Sequence, residues 1–307
     1  MLVSIPIITK VVDTNVTDDT QIYDSSKTYE DKELVLYDPT GGLNYDIYGV
    51  FTDSKVTPAA PHHSFVYYSK ATPYKPVDGK MYSKATKDGL MTYTVIGEGS
   101  FDTLALGGIL GDSVTAIFKD PKGHVLFSVI DHKIDNNIDI KGRHKHKAVT
   151  EVIYSTVDMP HGSTVEITIK SSDVVELGIV LLALSVDAGF THLAFTNKFK
   201  DYSPTETDQW GNVVYKEGLK VNVHTGTVDI PIGNYDYMNR TMLAIGGKTV
   251  IINGYGEKFN DEPTQAKGHF YGTMMIGRMK NFTLNTNVID KRMSEYATYK
   301  IEVEEIV

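Results

Sequence analysis

The chain has 307 residues, 41% of them hydrophobic and 22% charged, so it can bury real cores and is too sparsely charged to remain disordered. A net charge of −9 sets it against nucleic acid. The complete lack of cysteine removes disulfides, thiolate nucleophiles and zinc–thiolate centres.

Short alternating apolar runs separated by Gly, Pro, Asn and Asp dominate, and helical periodicity is nearly absent. The pattern predicts a mainly β protein of antiparallel strands. Residues 1–76 read as a small N-terminal β module and connector. Residues 3–8 are expected at a sheet edge, because Pro6 has no N–H for a central ladder. Residues 28–37 and 45–51 give two more strands around the turn at 38–42. Residues 58–76 carry Pro58, Pro61, Pro73 and Pro76 and read as an irregular connector.

Residues 77–190 form the clearest unit. Strands are expected at 92–96, 101–107, 113–118, 124–130, 151–154, 163–170 and 174–184, a spacing that predicts a β-sandwich. The run 174–186 is the most apolar of the chain. It is interrupted by Glu176 and is shorter than the roughly 20 residues a bilayer span needs, so no membrane insertion is expected. No basic segment precedes an apolar stretch near Met1, and no signal peptide is expected.

Residues 191–307 form a C-terminal β domain with one helix at about 234–246. Asn234 stands at the cap position, Tyr235, Met238, Met242 and Ile245 fall on one helical face, and Gly246-Gly247 ends it. Strands at 191–200, 213–223 and 249–252 surround it, and 270–284 and 296–303 are expected to pair as long antiparallel strands.

Two stretches resemble known families. The run Phe101-Asp102-Thr103-Leu104-Ala105-Leu106-Gly107, the strand and turn at 113–123 and the strand at 163–169 resemble a galactose-binding-like jelly roll, a carbohydrate-binding fold. The segment Thr205-Glu206-Thr207-Asp208-Gln209-Trp210-Gly211-Asn212 leads into a strand, a helix and a strand. In this it resembles a C-terminal module of bacteriophage tail-associated structural proteins. That resemblance implies a virion protein of the tail, baseplate or fibre attachment, made in the host cytoplasm. It implies other virion proteins as partners, homo-oligomerisation and contact with host surface glycan. It carries over no catalytic residue.

Three groups are candidate sites. Arg143-His144-Lys145-His146-Lys147 is a basic cluster in which His144 and His146 would share one face of a strand. A solvated loop, a contact for an acidic partner or anionic glycan, and a metal site are its three readings. Asp131, Asp135 and Asp139, with two asparagines between them, carry oxygens that suit calcium, although turn chemistry explains them equally. Trp210 sits in a Gly/Asn turn, where it either stacks on a sugar ring or packs over the hairpin beneath it. His62 and His63 are adjacent and point oppositely on an extended chain. No G-x-S-x-G, P-loop or H-E-x-x-H is present, and 39 acidic residues single out no carboxylate pair. Binding and assembly are expected, with a carbohydrate-binding protein as the alternative and a polysaccharide-degrading enzyme as the remaining one. The nineteen tyrosines fit contact surfaces, because their rings bury while their hydroxyls stay wet.

Overall fold

The computed structural model describes residues 2–24, 27, 29–30, 33–37, 46–50, 65–134, 137–140, 144–147, 150–191, 196–207, 210–211, 213–215, 218, 220–253, 274–285 and 296–306. The strands in chain order begin with β1 (Leu2–Pro6), β2 (Thr9–Thr14), β3 (Leu34–Tyr37), β4 (Asp46–Val50) and β5 (Phe65–Lys70). A 3-10 turn at Thr72–Val77 follows. Next come β6 (Ala85–Gly97), β7 (Phe101–Ile109), β8 (Ser113–Lys119), β9 (Val125–Lys133), β10 (Asn137–Ile140), β11 (His144–Lys147), β12 (Thr150–Met159), β13 (Thr164–Leu177) and β14 (Ile179–Asp187). The last group is β15 (Phe190–Thr191), β16 (Thr196–Asp201), β17 (Thr205–Thr207), β18 (Val213–Tyr215), β19 (Lys220–Pro231), helix α1 (Tyr235–Ile245), β20 (Thr249–Asn253), β21 (Met274–Asn285) and β22 (Tyr296–Glu305). The protein is mainly β, as expected, and its named strands pair antiparallel.

Two sheets carry the architecture. A five-stranded sheet has the order β2-β6-β13-β8-β9, and a ten-stranded sheet runs β12-β7-β14-β1-β20-β21-β22-β19-β15, with β16 also on β19. The period-two pattern of β13 explains the first. Val165, Ile167 and Ile169 point inward between Glu166, Thr168 and Lys170. They meet Leu104 and Leu106 of β7 and Val180 and Leu182 of β14 in one core. Each such side chain contributes about 1.5–3 kcal/mol on burial. The result is a sandwich whose second face is one end of the larger sheet.

That larger sheet is buried on its other face too. Ala105 of β7, Ile153 of β12, Ile179 and Ala183 of β14, Ile251 of β20 and Ile276 of β21 share one cluster. Strands well separated in the order meet only if the sheet curls, which makes it a half-barrel. This is why β7 is buried along its whole length. The close approach needs glycine. A Cβ on Gly178 would lie 2.0 Å from the Met81 carbonyl oxygen, and Gly178 is also where the apolar run 174–186 divides into β13 and β14.

The other end of the sheet packs on α1. Met238, Met242 and Ile245 are buried against Val228, Ile230, Val250, Met275 and Tyr299, the face that the helical spacing predicts. Asn234 takes the cap position but makes no side-chain cap hydrogen bond. At the periphery, the Glu304 carboxylate accepts from Lys200 Nζ at 2.8 Å and from Tyr202 Oη at 2.9 Å, tying β16 across β19 to β22.

Two expectations are corrected. β1 is central, paired with β14 on one side and β20 on the other. Pro6 is accommodated because the β20 pairing stops at Ser4, so no ladder needs its missing N–H on that side. The connector at 58–76 contains β5, whose Phe65–Lys70 backbone completes a sheet of order β3-β4-β5. Strand pairing links these segments, since β2 joins β6, and β1 links β14 to β20.

Candidate functional site

The basic cluster lies on a ribbon, not in a loop. Strands β10 and β11 pair Ile138 with His146, Asp139 with Lys145 and Ile140 with His144. Positions 144 and 146 therefore fall on one side of the ribbon, opposite two isoleucines, while Lys145 faces Asp139 across the strands. Arg143 and Asp135 lie outside the described residues, and the ribbon is described by its backbone. The ribbon connects β9 to β12, the outer strands of the two sheets. Five Lys and Arg against two Asp in residues 133–147 give it positive charge on an acidic chain.

Asp131 has a structural role. Its φ of +52° and the register shift between Val114 and Ala116 mark a β-bulge in β9. Its Oδ1 accepts from Ser113 Oγ at 2.8 Å and its N–H donates to Thr115 Oγ1 at 3.0 Å. Next to it, His132 Nδ1 lies 2.8 Å from Tyr154 Oη, joining β9 to β12 across the sandwich edge, and burial lowers the His132 pKa. Among the described residues, no three His, Asp or Glu converge as a metal site. Trp210 is 78% exposed beside Gly211, whose φ is +85°. An indole that exposed contributes little packing to the hairpin below it.

The chain also builds a site that its linear sequence does not display. Ile22 bridges Leu36, so Tyr23 lies beside β3. Tyr23, Tyr37 of β3, Tyr48 of β4 and Tyr67 of β5 then form a row, one ring per neighbouring segment. Successive centroids lie 5.6, 5.9 and 6.0 Å apart. Tyr29 stacks behind Tyr23 at 5.7 Å over the buried Val35. Lys70 and Asp46 pair at 2.5 Å in adjacent register, next to Tyr37. Burial raises the pKa of Tyr23, Tyr48 and Tyr67, with Tyr29 adding to the effect at Tyr23 and Asp46 at Tyr48 and Tyr67. The opposite face of this sheet, with Leu36 and Ile47, packs on Ala71 and Tyr74 at the 3-10 turn. The tyrosine-row face carries a small core of its own, with Val35 and Tyr29 buried against Tyr23 and Tyr48, and Tyr67 is the exposed end of the row.

Two further features carry polar groups. An open depression of about 760 Å³ is lined by Thr17, Asp18, Asp19, Thr20, Gln21, Leu34, Thr72 and Thr86. Burial pulls the Asp18 pKa upward, but hydrogen bonds from Thr20 and Thr72 outweigh it and hold the carboxyl below its usual range. The Asp18 oxygens are thus occupied in joining β2's exit to the 3-10 turn. The second is Glu151 on β12, whose Oε2 accepts from the Ile276 N–H at 3.1 Å. That N–H lies just past the end of β22, whose last partner on β21 is Gly277. Burial, reinforced by Glu305, pushes Glu151 up to about 8. Such a shift marks many catalytic acids, yet here the group closes the half-barrel. No motif announced it, because its partner is a backbone amide 125 residues away.

Comparison of the chain with models of protein families finds no match, and comparison with curated proteins finds none either.

Proposed function

We propose that this chain is a structural component of a phage virion, in the tail, baseplate or fibre attachment, and that it works by protein–protein assembly and not by catalysis. The observation that carries the reading is the sandwich edge. β9 ends the five-stranded sheet and β12 ends the ten-stranded one, and the two lie side by side, joined through His132 and Tyr154. Val125, Leu126 and Ile130 of β9 and Val157 of β12 are exposed there. A strand with an open edge and exposed aliphatic side chains is a template for pairing with another chain. The ribbon β10-β11 connects these two strands and adds positive charge for an acidic neighbour. The resemblance of residues 205–212 to phage tail-associated proteins supports the virion setting.

The test is the oligomeric state by light scattering, together with mass spectrometry of purified virions. A multimer that falls to monomer on Leu126→Asp with Ile130→Asp, and presence of the chain in particles, are expected. A monomer absent from virions sinks the reading. A stand-alone carbohydrate-binding role is the second reading, favoured by the exposed rings of Tyr67 and Trp210.

A further inference from the structure

We infer that β9 pairs with β9 of a second copy of this chain, antiparallel about a two-fold axis at Ser128, so that two five-stranded sheets run on as one. The inference rests on the assembly proposed above and names its partner and its register.

The edge is unguarded. Residues Val125–Ile130 read Val-Leu-Phe-Ser-Val-Ile, with no charge and no proline. Edge strands are ordinarily protected by charged side chains. β2 has Lys10 and Asp13, β12 has Glu151 and Asp158, and β16 has Lys198, Lys200 and Asp201. β9 pairs with β8, and its other side has no strand partner among the described residues. Its hydrogen bond to β12 runs through His132, beyond this stretch. Leu126 is 44% exposed and Ile130 74%.

The bulges fix the register. Ala116, Ile117 and Phe118 pair with Val129, Ser128 and Phe127 in unbroken succession, and a register shift stands on each side. Phe127 and Val129 turn inward onto the sandwich core, where the Phe127 ring meets Phe118 at 5.3 Å. Ser128 therefore lies on the other face. A two-fold axis perpendicular to a sheet pairs residues of the same face, so it passes through a residue and not between two. Ser128 is the middle of the regular stretch. With the axis there, Ser128 meets Ser128 of the second copy, Phe127 meets its Val129 and Leu126 meets its Ile130, and the last two contacts occur twice. Exposed aliphatic side chains thus cover one another. An uncharged strand favours neither an acidic nor a basic partner, and what it offers is this self-complementarity.

The chain has no cysteine, so one introduced cysteine reports one contact. Ser128→Cys in the full chain, oxidised with copper phenanthroline, should give a covalent dimer on non-reducing gels. Opposite Cα atoms of an antiparallel pair lie about 4.5–5.5 Å apart, within disulfide reach. Leu126→Cys alone should not link, because its counterpart in the second copy lies about 14 Å away. Leu126→Cys combined with Ile130→Cys should link. Leu126→Ala with Ile130→Ala should raise the dimer dissociation constant about tenfold in sedimentation equilibrium. Melting curves of each variant confirm folding. No link in the Ser128→Cys variant, or equal linking in Leu126→Cys and Ser128→Cys, overturns the inference. A multimer that Ser128→Cys does not link removes the β9 pairing and leaves assembly standing. A linked dimer absent from purified virions supports the pairing and removes the virion setting alone. A monomer that is nonetheless present in virions gives the edge to another protein and also overturns the inference.

Discussion

Burial and the neighbouring Glu305 carboxylate both favour the neutral form of Glu151, and they outweigh the hydrogen bond from the Ile276 N–H, which favours the charged form. Its folded pKa of about 8 lies above the ordinary 4.5, so the folded state holds a proton that the unfolded chain has already released. Stability from this group is complete below about pH 4.5 and declines as pH rises toward 8. Thermal melts at pH 5 and pH 8.5 should differ by roughly 1–3 kcal/mol from this residue. Glu151→Gln keeps the acceptor and should flatten that dependence; an unchanged slope would reassign it to other groups. Gly178 works by steric necessity. Gly178→Ala would push a methyl into the Met81 carbonyl and should cost roughly 2–4 kcal/mol in denaturant unfolding. A variant as stable as the parent would mean that the Met81 loop yields freely.

At the scale of elements, periodicity was the reliable signal. The helix at 235–245 was legible because its apolar face needs no knowledge of the partner surface, and Met238, Met242 and Ile245 are buried where expected. Met242→Ala should therefore cost about 2–5 kcal/mol, read from the urea midpoint. β13 was legible for the same reason. What the sequence hid was pairing. Four prolines made residues 58–76 look irregular, yet β5 forms because its partner β4 supplies the ladder. Pro6 suggested an edge, and the register shows that one end of a strand can be an edge while the other end is central. The cluster at 143–147 looked like a solvated loop because its charges mask the alternation of Ile138 and Ile140 opposite. The tyrosine row was invisible for a related reason. Its four members lie up to 44 positions apart, and only strand register brings them into line. The abundance of tyrosine was the one available hint.

At the scale of the whole molecule, β1 joins two packed bodies. The sandwich lies on the β14 side and the helix-covered half on the β20 side, with the five residues of β1 as the ladder between them and the cluster of Ala105, Ile153, Ile251 and Ile276 as their direct contact. Ser4 Oγ is 2.9 Å from Ser185 Oγ, which lies 2.6 Å from Thr103 Oγ1, so buried hydroxyls as well as the ladder fix this strand in place. Removing residues 1–6 should split the melt into two calorimetric transitions, one for each half. A single transition at the original temperature would show that the halves hold together without it.

The same arrangement constrains the order of events during synthesis. β1 leaves the ribosome before either of its partners, and waits for residues 179–187 to gain one neighbour and for residues 249–253 to gain the other. Contacts so distant along the chain form slowly. In the interval, the nascent polypeptide presents a bare apolar ribbon of Leu2, Val3 and Ser4 backbone to every other copy on the polysome. Production of this protein should consequently be limited by aggregation of unfinished chains, and slower, cooler expression or holdase chaperones should raise the soluble yield.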